Sequence, residues 1–315
     1  KRNATFVSLV RDSDISGILQ SIEQVEKRFN SIYHYDWVFL NDGDFSEEFR
    51  EKVQKACSGN VYFGKVPREH WGYPDFIDQD KAAAVREQMK NDNIIYGDSE
   101  SYRHMCRFES GFFYRQELML NYKYYWRVEP DIKLYCNIPY DTFAFMEDND
   151  KQYGFTISLH EYETTIKTLW KTTKEFIQEN PDTVNKNGLM QWVTEDGSRY
   201  NMCHFWSNFE IADMDFWRSD TYSAYFDYLD KSGGFFYERW GDAPVHSIAV
   251  ALFMDKNKVH HFDDIGYWHI PFNNCPLVNT LRNERQCDCA PADSLLLSGW
   301  SCTKEFYKIV GYSVP

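Results

Sequence analysis

The chain has 315 residues, a net charge of −14 and 18% aromatic residues. That aromatic content excludes a disordered polymer, and the length supplies one large domain or two modest ones with ample core. The acidic balance disfavours nonspecific binding to nucleic acid or anionic membranes, so an anionic ligand needs local Arg, Lys or a metal ion.

No run approaches the roughly 20 apolar residues of a membrane span. The chain opens on Lys1-Arg2 directly before a strand-like run. This reads as a luminal catalytic fragment whose targeting part lies elsewhere. Eight cysteines include no CxxC pair, and Cys287-Asp288-Cys289 is too tight for an ordinary zinc site. Their even number and their concentration in loop-like C-terminal sequence suggest disulfides and an oxidising compartment. The sequon Asn3-Ala4-Thr5 points the same way.

In chain order, Thr5 to Val10 reads as a strand, and Ile18, Leu19, Ile22 and Val25 mark a helix. Asp36 to Leu40 is the next strand, closed by the turn Asn41-Asp42-Gly43-Asp44. Ser46 caps a helix with Phe49, Val53 and Ala56 on its apolar face. Val61-Tyr62-Phe63 is a third strand. This βαβαβ rhythm predicts a doubly wound α/β half, whose ligands lie beyond the C-terminal ends of the strands. Arg11 stands at such an end, suited to a phosphate or a base. There is no glycine-rich phosphate loop.

Asp80 to Lys90 is helical by propensity. The segment Tyr102 to Tyr114 follows, with Phe108 and Phe112 on one face and Arg103 and Arg107 on another. A basic face in so acidic a chain suggests a donor site, and Tyr102 could stack on a planar base. Tyr122 to Asp131 reads as one aromatic strand that ends in two carboxylates, Glu129 and Asp131. On an extended chain these point the same way and repel. A divalent metal gripping a diphosphate resolves the repulsion; a solvated acidic turn is the plain alternative.

The second half contains a long helix from Thr164 to Gln178, a short one around Leu189 and Trp192, and a helix capped by Ser219 and stopped by Gly233-Gly234. Glu210 lies among Phe205, Trp206 and Phe209. Glu238, Arg239, Asp242 and His246 gather around a Trp-Gly turn before an apolar helix from Ser247 to Met254, which suggests a site. No linker divides the chain.

Six stretches, in order, carry a resemblance: TFVSLVRDSD, SYRHMCRFESGFFY, YYWRVEPD, FWSNFEI, FFYERWGDAPVHSIA and DIGYWH. Together they resemble the fungal α-1,2-mannosyltransferases of glycosyltransferase family 15, over nearly the whole chain. The resemblance implies an α/β GT-A fold, Rossmann-like, with a mostly parallel central sheet. It implies a single catalytic domain over 1–315, with a nucleotide-binding half at 1–135 and an acceptor-binding half at 136–315. It implies transfer of mannose from GDP-mannose, with Mn²⁺ and retention of configuration, to mannoside acceptors of N- and O-linked glycans. Family members are type II membrane proteins of the Golgi, so membrane contact would come through an N-terminal anchor.

By the same resemblance, Glu129 and Asp131 would be metal ligands in place of an Asp-x-Asp motif. A histidine would join them, His269 fitting best and His246 second. Glu210 would be the nucleophile, and Asp242 would lie near the donor sugar or acceptor. Arg11, Tyr102 and Arg107 would contact the donor, and Trp240, Asp242 and His246 the acceptor. Residue chemistry alone leaves two other readings open: an inactive carbohydrate-binding protein on the same fold, or a glycosidase using Glu210 as a raised-pKa acid.

Overall fold

The computed structural model describes residues 1–315. Seven strands build its central sheet: β1 Ala4–Leu9, β2 Asp36–Asn41, β3 Val61–Lys65, β4 Tyr124–Arg127, β6 Tyr153–Phe155, β9 Glu210–Asp213 and β10 Val259–His261. They lie in the order β10-β6-β9-β4-β1-β2-β3. β9 runs antiparallel to both of its neighbours, β4 and β6, and the other pairings are parallel. The smaller strands are β5 Lys133–Leu134, β7 Ser158–His160, β8 Cys203–Phe205, β11 Tyr267–His269 and β12 Phe272–Asn274. The mostly parallel sheet and its flanking helices match the expected GT-A class. Strands from 1–135 and from 136–315 share this one sheet.

Alternation along the strands sorts side chains between two cores. Phe6, Trp37, Phe39, Tyr124 and Trp126 face one side. There they meet α1 (Ile15–Val25) and α2 (Glu47–Ala56) through Ile18, Ile22, Phe49 and Val53. Val7, Val38, Leu40 and Tyr125 face the larger core, to which α3 (Gln79–Asn91) adds Ala82. That core is covered by α4 (Glu100–Gly111), α6 (Leu169–Glu179), α7 (Asp220–Ser232) and α8 (Asp242–Phe253). The remaining long helix of the middle region, α5 (Thr142–Asp148), sends Phe143 and Met146 into the smaller core. Arg127, two residues after Tyr125, inherits that residue's side of the sheet and is buried there.

The caps fall where the sequence places them. Ser46 accepts from the Phe49 amide, Ser219 accepts from the Tyr222 amide, and Gly233 closes α7 at φ 81°. Three elements differ. The long strand ends at Arg127, because Pro130 offers no N–H and Asp131 turns left-handed at φ 62°. The helix expected from Thr164 starts only at Leu169, after a short turn at Glu163–Thr165. Thr168 instead gives its amide and hydroxyl to the Glu238 carboxylate, a local alternative to helix bonding. The last apolar helix begins five residues earlier than expected, at Asp242, since Pro244 fits a first turn whose amides have no intrahelical acceptor.

Six of the eight cysteines form disulfides: Cys136–Cys287, Cys203–Cys302 and Cys275–Cys289. Cys203–Cys302 closes a sequence separation of 99 and ties β8 to the residue before α9 (Thr303–Val310). Trp192 supports the join by donating its indole N–H to the Cys302 carbonyl at 2.9 Å. Replacing both Cys203 and Cys302 with Ala should lower unfolding free energy by about 2–4 kcal/mol. Urea denaturation of the two proteins checks this, and an unchanged midpoint would exclude a stabilising cross-link.

Candidate active site

A cleft of about 370 Å³ opens at the C-terminal ends of β1 and β2. Leu9, Val10 and Arg11 leave β1 into its wall, and Asn41 and Asp42 leave β2. Glu129 and Pro130 enter from the turn after β4, and Tyr96, Ser99, Ser101 and Tyr102 from the start of α4 and the loop before it. The structure thus brings Arg11, Tyr102 and Glu129 to one cavity, although they are far apart in sequence. Tyr96 is stacked on Tyr102 with centroids 4.4 Å apart and planes at 8°. The aromatic platform is therefore a pair, with Tyr96 its more exposed member. Asn41 and Asp42 were legible as a strand-end turn next to β1, and the rule for ligands in open sheets would have added them to the site.

The Glu129 carboxylate is held by the Arg127 Nε–H at 2.7 Å, and its backbone carbonyl accepts from the Ser21 hydroxyl at 2.7 Å. Asp131 does not share the orientation expected of an extended strand. Its amide donates to the Gly17 carbonyl at 3.0 Å. Its carboxylate fills the space beside Gly17, with Oδ2 2.7 Å from where a Cβ would stand. Asp131 is exposed and does not line the cleft. The reason is the left-handed turn, which breaks the two-residue repeat.

His269 reaches the same neighbourhood through β11. Tyr267 and Trp268 pair with Leu134 and Lys133, so continuing that register sets His269 across from Ile132, beside the Glu129-Pro130-Asp131 turn. Its Nδ1 lies 3.0 Å from the Ile270 carbonyl. A carbonyl only accepts, so Nδ1 is the donor, and Nε2 is the ring atom that can turn to a metal ion, the tautomer-fixing contact of a metal-ligating imidazole. Glu129 and His269 offer one carboxylate and one imidazole, a donor set that suits Mn²⁺.

His246 is a different case. It is fully buried, its Nε2 donates to the Glu109 carbonyl at 3.0 Å, and its Nδ1 faces Glu210 Oε2 at 2.9 Å. Both nitrogens are engaged, so His246 is neither a free metal ligand nor an acceptor contact. Trp240 is fully buried too, with its N–H on Glu238 at 3.0 Å, and it presents no surface to an acceptor. Arg107 grips Asp230 through two bonds of 2.7 and 2.8 Å. Arg103 is committed to the Glu238 and Ser99 carbonyls. The basic face expected on α4 is therefore internal, and Arg107 does not line the donor cleft. Charge periodicity cannot reveal such burial, because the partners come from α7 and beyond.

Behind Glu129 lies a buried charge network centred on Arg127. Its Nη1 meets Asp242 Oδ2 at 2.6 Å, Glu109 at 3.9 Å and Glu210 at 4.0 Å. Ser207 also donates to Asp242 Oδ2, at 2.8 Å. Burial by itself would raise the Asp242 pKa, yet Arg127 and His246 outweigh it and hold the group below its usual range. Glu210 is fully buried at the start of β9, across from Arg127 in the ladder. Its Oε1 accepts from the Tyr125 hydroxyl at 3.3 Å, whose own oxygen accepts from the Trp217 N–H at 3.0 Å. Glu210 and Asp242 thus meet at Arg127, which also holds the cleft-lining Glu129. Sequence reasoning missed Arg127, Glu109 and Ser207. An arginine inside an aromatic strand, on the parity of Tyr125, was the signal for the first.

The glycolipid 2-alpha-mannosyltransferase family profile matches residues 1–311. The chain belongs to glycosyltransferase family 15. It is 60% identical to glycolipid 2-alpha-mannosyltransferase 1 of Candida albicans, over 98% of this chain and 72% of that protein. It is 56% identical to the alpha-1,2 mannosyltransferase KTR1 of Saccharomyces cerevisiae, over 98% of this chain and 79% of that protein. Among solved structures, it superposes on core-mannan synthase A (CmsA/Ktr4) of Aspergillus fumigatus in its Mn/GDP form with a TM-score of 0.93. That pair is 42% identical over 99% of this chain and 86% of the other. Ktr4p of S. cerevisiae in complex with GDP gives 0.93 at 40% identity, over 100% of this chain and 83% of the other. This family-15 chain is a mannosyltransferase, and its fungal relatives are glycosylation enzymes, which fits a place in the secretory pathway.

The network also sets a pH dependence. Burial, only partly offset by Arg127, pushes the Glu109 carboxyl up to about 8. The folded enzyme then holds a proton that the unfolded chain releases above about 4.5. That stability is complete below the unfolded value and is lost as pH rises through about 8. His246 acts with the same sign: burial opposes its charge, but Glu210 prevails and its pKa is raised. Glu109→Gln should therefore flatten the fall in stability between about pH 5 and 8, read by urea melts across that range. An unchanged slope would mean that Glu109 is ionised throughout.

Proposed function

We propose that this chain transfers mannose from GDP-mannose to a mannose-terminated acceptor of N- or O-linked glycans, forming an α-1,2 linkage with retention of configuration. The observation that carries this is the convergence of Arg11, the Tyr96–Tyr102 platform and Glu129 on one cleft at the strand ends. The family membership and the Mn/GDP form of a neighbour 42% identical support the same donor and metal. Glu129 and His269 would hold Mn²⁺, which as a Lewis acid stabilises the departing diphosphate.

The chain's own residues divide the rest. Arg11 and the tyrosine pair bind and orient the nucleotide. Arg127 fixes Glu129 toward the cleft, holds the Asp242 carboxyl below its usual range and faces Glu210. Those two carboxylates supply preorganised negative charge for the positive charge that develops at the anomeric carbon. Glu210 is the candidate for the retaining step, with one oxygen on Tyr125 and the other on His246. The enzyme would act in the Golgi lumen, anchored by a segment N-terminal to this sequence.

With GDP-mannose and methyl α-mannoside, the protein should form a dimannoside in Mn²⁺ and lose that activity in EDTA. Glu129→Ala should weaken Mn²⁺-dependent GDP binding by about tenfold or more while the protein still folds and unfolds cooperatively. GDP affinity that is indifferent to EDTA would sink the metal-dependent reading. Absence of any dimannoside would favour a carbohydrate-binding protein, and release of mannose without nucleotide a glycosidase.

A further inference from the structure

The sequon Asn3-Ala4-Thr5 lies where the chain enters the central sheet, far from the cleft and unused by it. Asn3 is exposed and stands one residue before β1. It serves the sheet through its backbone carbonyl, which accepts from the Lys123 and Tyr124 amides, each at 3.1 Å. Thr5 is the opposite case. It is fully buried between Asp36 of β2 and Tyr125 of β4, and its hydroxyl donates to the Asp36 carbonyl at 2.9 Å.

The two working parts of the motif therefore differ in access. The asparagine amide, which takes the sugar, is at the surface; the threonine hydroxyl, which marks the motif, is sealed inside the sheet. The three disulfides fit the oxidising compartment in which sequons are used.

We propose that Asn3 carries an N-linked glycan, attached before β1 is paired with β4. This rests on the luminal reading given above. In the transfer, the Asn3 side-chain nitrogen bonds to the anomeric carbon of a lipid-diphosphate-linked oligosaccharide. The C–O bond to the diphosphate breaks, the lipid diphosphate leaves with the electron pair, and the amide gives up one proton. The folded chain hides the Thr5 hydroxyl from the transferase, but the growing chain does not. At about 5–20 residues per second, Lys123 and Tyr124 follow Asn3 by several seconds. The strand pair β1–β2 does not seal the sequon earlier, because two strands alone are marginal in water.

The finished fold has room for the glycan. The six residues of β1 span roughly 20 Å at about 3.3 Å per residue, and Leu9, Val10 and Arg11 line the cleft only at the far end. Beside Asn3, Arg2 reaches Glu147 and Asp148 on the surface, each at 2.8 Å. A hydrophilic oligosaccharide there leaves the donor cleft open.

Translation of the full-length chain with microsomes tests the site on the wild type and Asn3→Gln. The wild type should be protected from added protease. Peptide N-glycosidase should shift it to the mobility of Asn3→Gln and convert Asn3 to aspartate in its peptide mass spectrum. Asn3→Gln should transfer mannose within about twofold of wild type. A protected wild type that the glycosidase does not shift overturns the glycan and leaves the luminal reading standing. An unprotected chain overturns the luminal reading and the proposal with it. A glycosidase shift that persists in Asn3→Gln puts the glycan elsewhere and also overturns it. For the timing, unglycosylated wild type is offered to solubilised oligosaccharyltransferase with its lipid-linked donor. The folded, oxidised protein should remain unmodified, whereas the reduced and alkylated chain should accept the glycan. Equal modification of both overturns attachment before pairing.

Discussion

The structure turns on one buried guanidinium. Arg127 ends the central strand on the large-core side, where it faces Glu109, Glu129, Glu210 and Asp242. Even with it, burial pushes the Glu109 carboxyl up to about 8, and without it the gathered carboxylates would repel further. With it, the cleft-lining Glu129 and the deeper Asp242 are fixed by the same side chain, through Nε and Nη1 respectively. Breaking a buried network of this kind costs about 3–5 kcal/mol, because the charges left behind are uncompensated. A lysine would not substitute, since its donors all sit on one nitrogen and cannot reproduce the spacing of Nε and Nη1. The site is thus rigid for a physical reason: each charged group is held by another that has nowhere else to go.

The same logic separates structural from functional arginines. Arg103 and Arg107 have the spacing of a basic binding face and prove to be internal struts. Arg239, in the motif before α8, is buried as well, its guanidinium carbon 4.9 Å from the Tyr102 ring centroid.

Much of the fold was legible because it follows local rules. Apolar alternation placed β1, β2 and β3; Ser46, Ser219 and Gly233 marked helix ends where side-chain caps and a left-handed glycine put them. The cleft was half legible: Arg11, Tyr102 and Glu129 follow from strand ends and motif resemblance. What failed depended on long-range partners. The Glu129–Asp131 pairing assumed an extended chain, and Asp131 instead leans on Gly17 of α1. His246 and Trp240 sit in motifs rich in charge, but α8 carries that segment inward, under α4 and against Trp217. Burial of that kind is decided by which helix covers which, and spacing along one segment does not contain it.

The position of β9 has a bearing on how the chain is made. β1, β2, β3 and β4 can assemble from the first part of the sequence, but the outer edge of β4 stays unpaired until Glu210–Asp213 has been synthesised and slipped in antiparallel. Only then can β6 and, through it, β10 close the sheet. Arg127 waits at that same open edge, its counter-charges Glu210 and Asp242 still unmade. An aromatic strand with a bare edge and an uncompensated charge is a target for mispairing. The early half is therefore a vulnerable nascent chain rather than a domain in waiting, and it comes to rest only when the late strands and helices arrive.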